Sequence, residues 1–154
     1  MAPRYFPVSP AFWNDAKVRT WNDSQQKLAL YLLTCDHRNL EGLYKLPVSY
    51  IADDTGWSEA KAQKYLDALI AEGFCEYDHE ARVILVANAL DYYKPHTIPQ
   101  LKGAAADLEL VPASPLKDRF VSLAEQKAKR LWVLLTMGID EAVAQIRAER
   151  ENDE

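Results

Sequence analysis

Glycine, cysteine and surplus positive charge are all scarce in this sequence. Only five glycines occur in 154 residues, and none lies near another. That excludes a phosphate-cradling loop, which needs clustered glycines so that backbone amides can approach the phosphate. Cys35 and Cys75 are the only thiols, without a CxxC spacing, and His37, His79 and His96 are too scattered for a metal-ligand run. Asp53 and Asp54 are adjacent, and adjacent side chains on a helix diverge, so the pair reads as solvent decoration near a helix end. No GxSxG nucleophile turn is present. Neither catalysis nor a cofactor is expected. With 18 basic against 23 acidic residues the net charge is −5. The chain is no polycation, and contact with DNA would require a local basic face. No apolar run is long enough to span a bilayer. The opening "MAPRYFPVSP" lacks the charged and apolar regions of a secretory leader. These absences lead us to expect a cytoplasmic chain with two reduced, buried thiols and no membrane partner.

What is present is apolar and periodic. Hydrophobic residues make up 49% and charged residues 27% of the chain, which fits a folded, soluble, helix-rich protein with one core, or one domain plus an extension. The first stretch is rich in rings: Tyr5, Phe6, Phe12, Trp13 and Trp21. Early prolines predict an extended arm followed by a short helix over residues 12–18. The rings would seal the base of the domain, or that of a partner. Asp23 and Gln26 resemble a capping box opening a helix with Leu28, Tyr31, Leu32 and Cys35 on its buried face. Asn39 and Gly42 mark a turn, and "LYKLP" a short strand stopped by Pro47. Val48, Ile51 and Ala52 predict a brief helix, with Gly56 in the left-handed position after it.

Ser58 suits the N-cap of the next helix, with Glu59 in its first turn. Ala62, Leu66, Leu69 and Gly73 form its inner stripe, flanked by Tyr65 and Ile70. Two strands follow, over residues 74–77 and 82–87, joined by the polar turn "DHEA". Helix, strand, helix, helix, hairpin is the order of a winged helix-turn-helix. Beyond it, Pro99 predicts a helix with Leu101, Ala104, Ala105 and Leu108 on one side, and Ser114-Pro115 caps another. The stretch 116–149 carries Leu131, Leu134, Leu135, Ile139, Ala142, Val143 and Ile146, divided at Gly138 with Asp140 as a new cap. That stripe would either close the core or pair with a second copy. The fold class is therefore mainly α with a small β-hairpin. We expect an aromatic arm (1–22), a winged helix-turn-helix domain (23–95), a helical extension (96–150) and a frayed tail (151–154).

In a helix-turn-helix the second helix enters the major groove, leading with its N-terminal residues. An inner stripe through Leu66 and Leu69 leaves Lys61, Lys64, Asp67 and Ala68 outside and Ser58, Glu59 and Gln63 on the leading flanks. Lys61 and Lys64 can meet phosphates, and Gln63 can pair with an adenine edge. Glu59 and Asp67 oppose this by repelling the backbone. The wing offers His79 and Arg82 beside Asp78 and Glu80. Winged helices also serve as assembly modules or transcriptional regulators, so the fold leaves DNA contact and protein contact both open.

The run "LYLLTCDHRNLEGLYKLPVSYIADDTGWSEAKAQKYLDALIAEGFCEYDHEARVILVAN" resembles the N-terminal winged helix of phage replisome organisers, relatives of DnaD-type primosome proteins. An aromatic "RYF…FW" opening, a "YLLT…N..GLY.LP" passage, an "IA..TG" turn and "L..L…G…YD….VI…N" occur in that family's order. The likeness extends through "KPHTIPQLKGAAADLELVPASPLKDRF", covering residues 4–120. It implies a role in starting replication: binding or remodelling origin DNA, self-assembly, and help in delivering the replicative helicase, with that helicase or a helicase loader as partner. By position, residues 58–64 would lead the recognition helix and 78–82 would form the wing. Tyr5, Phe6, Phe12 and Trp13 in the arm would serve self-association. Full-length relatives continue into a second domain with a Y-x-x-x-I-x-x-x-W single-strand-binding signature, which nothing here matches.

Overall fold

Ten helices and three strands follow one another along residues 5–153, which the computed structural model describes. Residues 1–4 of the expected arm and residue 154 of the expected tail lie outside the described residues. The arm leads into α1 (Ala11–Asn14) and α2 (Ala16–Thr20) instead of the single helix expected over 12–18. Asp15 is the reason for the break. It adopts extended geometry at ψ 129°, and its carboxylate accepts from the amides of Lys17 and Val18, capping α2.

Helix α3 (Asp23–Thr34) opens one residue earlier than expected. Its capping box joins Asn22 to Gln25, not Asp23 to Gln26: Asn22 Oδ1 accepts from the Gln25 amide at 2.9 Å, and Gln25 Oε1 from the Asn22 amide at 3.0 Å. Asp23 is left in the first turn, and the Gln26 carboxamide instead donates to the Val18 carbonyl at 3.0 Å. Strand β1 (Leu43–Lys45) follows, then α4 (Val48–Thr55), which ends on Gly56 at φ +75°. Ser58 caps α5 (Glu59–Ala71), its Oγ accepting from the Lys61 amide at 3.1 Å. Ala62, Leu66 and Leu69 point inward as expected. Gly73 does not belong to their stripe; it is exposed beyond the helix end at φ +77°, turning the chain into β2 (Cys75–Asp78). The hairpin closes with β3 (Val83–Val86), one residue shorter than expected at each end.

The sheet is three-stranded and antiparallel in the order β1-β3-β2, with Leu43 opposite Leu85 and Tyr77 opposite Ile84. Together with α3, α4 and α5 this is a winged helix. Its sheet differs from an exposed wing in one respect: all four residues of β3 are buried. Alternation explains this, since successive side chains leave a strand on opposite faces. Tyr44, Cys75, Ile84 and Val86 join the winged-helix core with Leu28, Leu32, Ile51, Leu66 and Leu69. Leu43, Val83 and Leu85 join a second core built by the extension.

The extension runs through α6 (Ala89–Tyr92), α7 (Ile98–Glu109), α8 (Pro115–Lys127), α9 (Lys129–Met137) and α10 (Ile139–Asn152). Helix α7 is capped by Thr97 in a capping box with Gln100, and Ser114 caps α8. The long stretch from 116 divides twice, not once: Ala128 leaves helical geometry at φ −147°, and Gly138 separates α9 from α10. Asp140 is therefore inside the first turn of α10, with Gly138 in the cap position. Helix α10 continues to Asn152, into the stretch expected as the tail. Leu131, Leu134, Ala142 and Ile146 are buried against Phe120, Leu101 and the sheet. The stripe that could have paired with a second copy closes the chain's own core.

Candidate nucleic-acid interface

Two rings organise the leading end of α5. Trp57 precedes the Ser58 cap and Tyr65 lies on the flank of the helix, their centroids 5.5 Å apart and their planes tilted by 45°. Lysines from two helices gather over them. Lys61 Nζ stands 4.9 Å from the Trp57 ring centroid and 6.0 Å from that of Tyr65. Lys64 Nζ stands 5.5 Å from Tyr65. Lys27, on α3, stands 5.2 Å from Trp57 while donating to the Thr55 carbonyl at 3.2 Å. An ammonium over a ring face is held by the negative face of the quadrupole, and this narrows the lysine's rotamers. All three lysines are exposed, and the carboxylates of Glu59 and Asp67 are exposed on α5 as well. Sequence reasoning found Lys61 and Lys64. Lys27 was missed because it is 34 positions from Lys61, on a helix read for its buried stripe.

The other expected contact residues are engaged differently. Ser58 serves as the helix cap. Gln63 is half-buried, and its carboxamide nitrogen donates to Asp67 Oδ1 at 2.8 Å, one turn along. Asp54 is not mere solvent decoration. Its Oδ2 accepts from the Tyr31 hydroxyl at 2.6 Å and lies 3.1 Å from His37 Nε2, whose ring stacks on Tyr50. The Tyr31 hydrogen bond, helped by His37, holds the Asp54 carboxyl below its ordinary range. The cluster ties the end of α4 to α3 and to the turn that follows α3.

His79 and Arg82 are exposed on the hairpin loop, apart from the lysine cluster in sequence and on a different element. The His79 ring stands edge-on to Tyr77 at 4.9 Å, and Arg82 adopts φ +59° while its carbonyl accepts from the Leu46 amide at 2.8 Å. Asp78 closes the loop on itself, its Oδ1 accepting from the amides of Glu80 at 3.0 Å and Ala81 at 3.3 Å. The other Asp78 oxygen accepts from the Ser114 hydroxyl at 2.7 Å, and Glu76 pairs with Arg119 at 3.1 Å. The wing is thus fastened to the start of α8.

The arm divides in the same way. Phe12 is buried in the winged-helix core, away from any self-association face, and Phe6 is half-buried with the Arg38 guanidinium 4.9 Å from its ring centroid. Tyr5 and Trp13 are exposed, at 85% and 53%. Behind the arm lies a cavity of about 380 Å³, walled by Phe12, Trp21, Phe74 and Ala89 among others, with Tyr92 at its edge. Both thiols are buried and free, and burial pushes Cys75 up to about 12, which leaves it protonated and unreactive. Among the described residues no His, Cys, Asp and Glu gather in a group of three or more suited to a metal ion, and no helix is long and apolar enough to cross a membrane. No family model, curated protein or solved structure matches the chain.

Proposed function

We propose that this chain is a non-enzymatic, DNA-associated replication initiation protein of the phage replisome organiser type, acting in the host cytoplasm. The observation that carries the reading is the cluster of Lys27, Lys61 and Lys64 over Trp57 and Tyr65. It stands at the leading end of the second helix of a helix-turn-helix, the end that enters a major groove when such folds bind duplex DNA. On this reading the three ammoniums neutralise phosphates, and the rings keep them in place before DNA arrives. Self-assembly through Tyr5 and Trp13, and work beside a replicative helicase or its loader, complete the proposal.

Phosphate neutralisation releases counterions, so affinity must fall steeply with salt. We expect fluorescence anisotropy with a short duplex at low salt to show binding. The Lys61→Ala/Lys64→Ala chain should bind about tenfold more weakly, with a salt slope shallower by nearly 2. An absence of binding by the parent chain at low salt would remove the proposal.

A second reading is favoured by a separate observation. Tyr5, Trp13 and Tyr92 are exposed rings on the arm side, and the net charge is −5. They fit an assembly module that contacts protein and leaves DNA alone. The duplex titration separates the two, since this module would bind no duplex even at low salt. Light scattering tests the self-assembly that both include: a strict monomer at high micromolar concentration disfavours it. A transcriptional regulator of the same fold would select a palindromic sequence from a random library.

A further inference from the structure

The cavity behind the arm is too large for a packing fault. Well-packed interiors leave few voids bigger than a water molecule, whereas sites for small molecules begin at about 300 Å³. This one holds about 380 Å³. Its walls come from separate parts of the chain: Val8 of the arm, Phe12 on α1, Val18 on α2, Leu33 on α3, and Phe74 just past the end of α5. Rings are prominent among them. Phe74 meets the ring of Trp21 edge-on at 5.7 Å, and Tyr92 stands exposed at the rim. Apolar walls with several rings suit a flat, apolar body.

The polar groups narrow the choice. Among the described residues that line the cavity, the one buried polar side-chain atom without a hydrogen-bond partner is Trp21 Nε1. Trp21 is only 7% exposed, and an indole N–H can donate but not accept, so what it lacks is an acceptor. Leaving a buried donor unpaired is costly. Lys17, at the rim, adds further donors, since only one contact of its ammonium is fixed, to the Glu72 carbonyl at 2.9 Å. The charges around the cavity balance, with Lys17 and Arg38 against Asp15 and Glu72. An ionised ligand would therefore meet no surplus of opposite charge to offset its loss of water. We propose that this cavity binds a small, flat, uncharged molecule that is largely apolar and carries a hydrogen-bond acceptor, of which an aromatic ketone is the model case. The site is independent of the duplex-binding reading, because the cavity meets the chain beyond the end of α5 and the lysine cluster lies at its beginning.

The test uses the full chain and two probes of one shape, acetophenone and ethylbenzene, which differ in the carbonyl oxygen. Two-dimensional nitrogen–proton NMR follows the Trp21 indole signal together with the backbone signals of Val8, Lys17 and Phe74. Acetophenone should move all four saturably, with a dissociation constant on the order of 1 mM for a ligand of about nine heavy atoms. Ethylbenzene should bind about threefold or more weakly, the difference being the hydrogen bond that it cannot accept. Signals on the helices of the extension should stay in place. An acetophenone titration without saturable movement at Trp21 would overturn the proposal. So would ethylbenzene binding within threefold of acetophenone, since the orphan donor would then play no part. Neither result bears on whether the chain binds duplex DNA.

Discussion

A Gly42→Ala chain is expected to be destabilised by about 2–5 kcal/mol, combining the penalty of left-handed backbone for a residue with a side chain and the cost of overpacking. Gly42 sits at φ +81°, and a Cβ built there would stand 2.4 Å from the Ala89 Cβ, a separation that two carbons cannot share. The surroundings have little room to give. The Gly42 amide donates to Asn39 Oδ1 at 2.9 Å and its carbonyl accepts from the Val86 amide at 2.8 Å. Asn39 in turn donates to the Leu43 carbonyl at 2.6 Å, so the turn and the first pair of the β1–β3 ladder move together. Because β1 sends Leu43 into one core and Tyr44 into the other, displacing it loosens both. Urea unfolding checks this, and a loss below about 1 kcal/mol would show that the turn can shift freely.

Stability should also fall as the pH rises from about 4.5 to about 7, through a single buried carboxyl. Glu41, next to that turn, is 1% exposed, and its Oε2 has no hydrogen-bond partner. Burial first, then the neighbouring Asp107 carboxyl of α7, push Glu41 from its ordinary value of 4.5 up to about 7, with Arg38 opposing. The two carboxyls are within hydrogen-bonding reach, so a proton on the pair supplies a donor that two ionised groups lack. The folded chain then binds more protons than the unfolded one between those pH values. The stabilisation is complete below 4.5, is lost as the pH rises through the folded value, and is flat above it. Its size is on the order of 3 kcal/mol. Glu41→Gln imitates the protonated acid, so it should be more stable than the parent at pH 8 and nearly equal to it at pH 4.5. Thermal unfolding at several pH values measures this, and a difference that stays constant across the range would contradict the shared proton.

The parts of the fold legible in the sequence were those with local chemical signals. Ser58, Gly56 and the Ala62–Leu66–Leu69 stripe each act within one or two turns, and all three are where their spacing puts them. Asn22 and Asp23 are equally good caps, and the choice between them depended on which neighbour, Gln25 or Gln26, reached back. Pattern alone could not show that β3 is buried on both faces, because a run of four apolar residues, Val83 to Val86, reads the same under one core or two. The lysine pair on α5 was legible from periodicity. Its aromatic seat, the Lys27 contribution and the Gln63–Asp67 bond depend on how α3 and α5 meet and which rotamers result. The same holds for Phe12, whose ring is equally apolar whether it faces a partner or, as here, the chain's own core.

Four tryptophans, Trp13, Trp21, Trp57 and Trp132, give four indole N–H signals in a two-dimensional nitrogen–proton NMR spectrum. If α5 faces DNA through its lysine-covered rings, adding a short duplex at low salt will move the Trp57 signal and leave the buried Trp21 signal in place. Movement of Trp13 or Trp132 with Trp57 unchanged, or no movement of any, would contradict a DNA-facing α5.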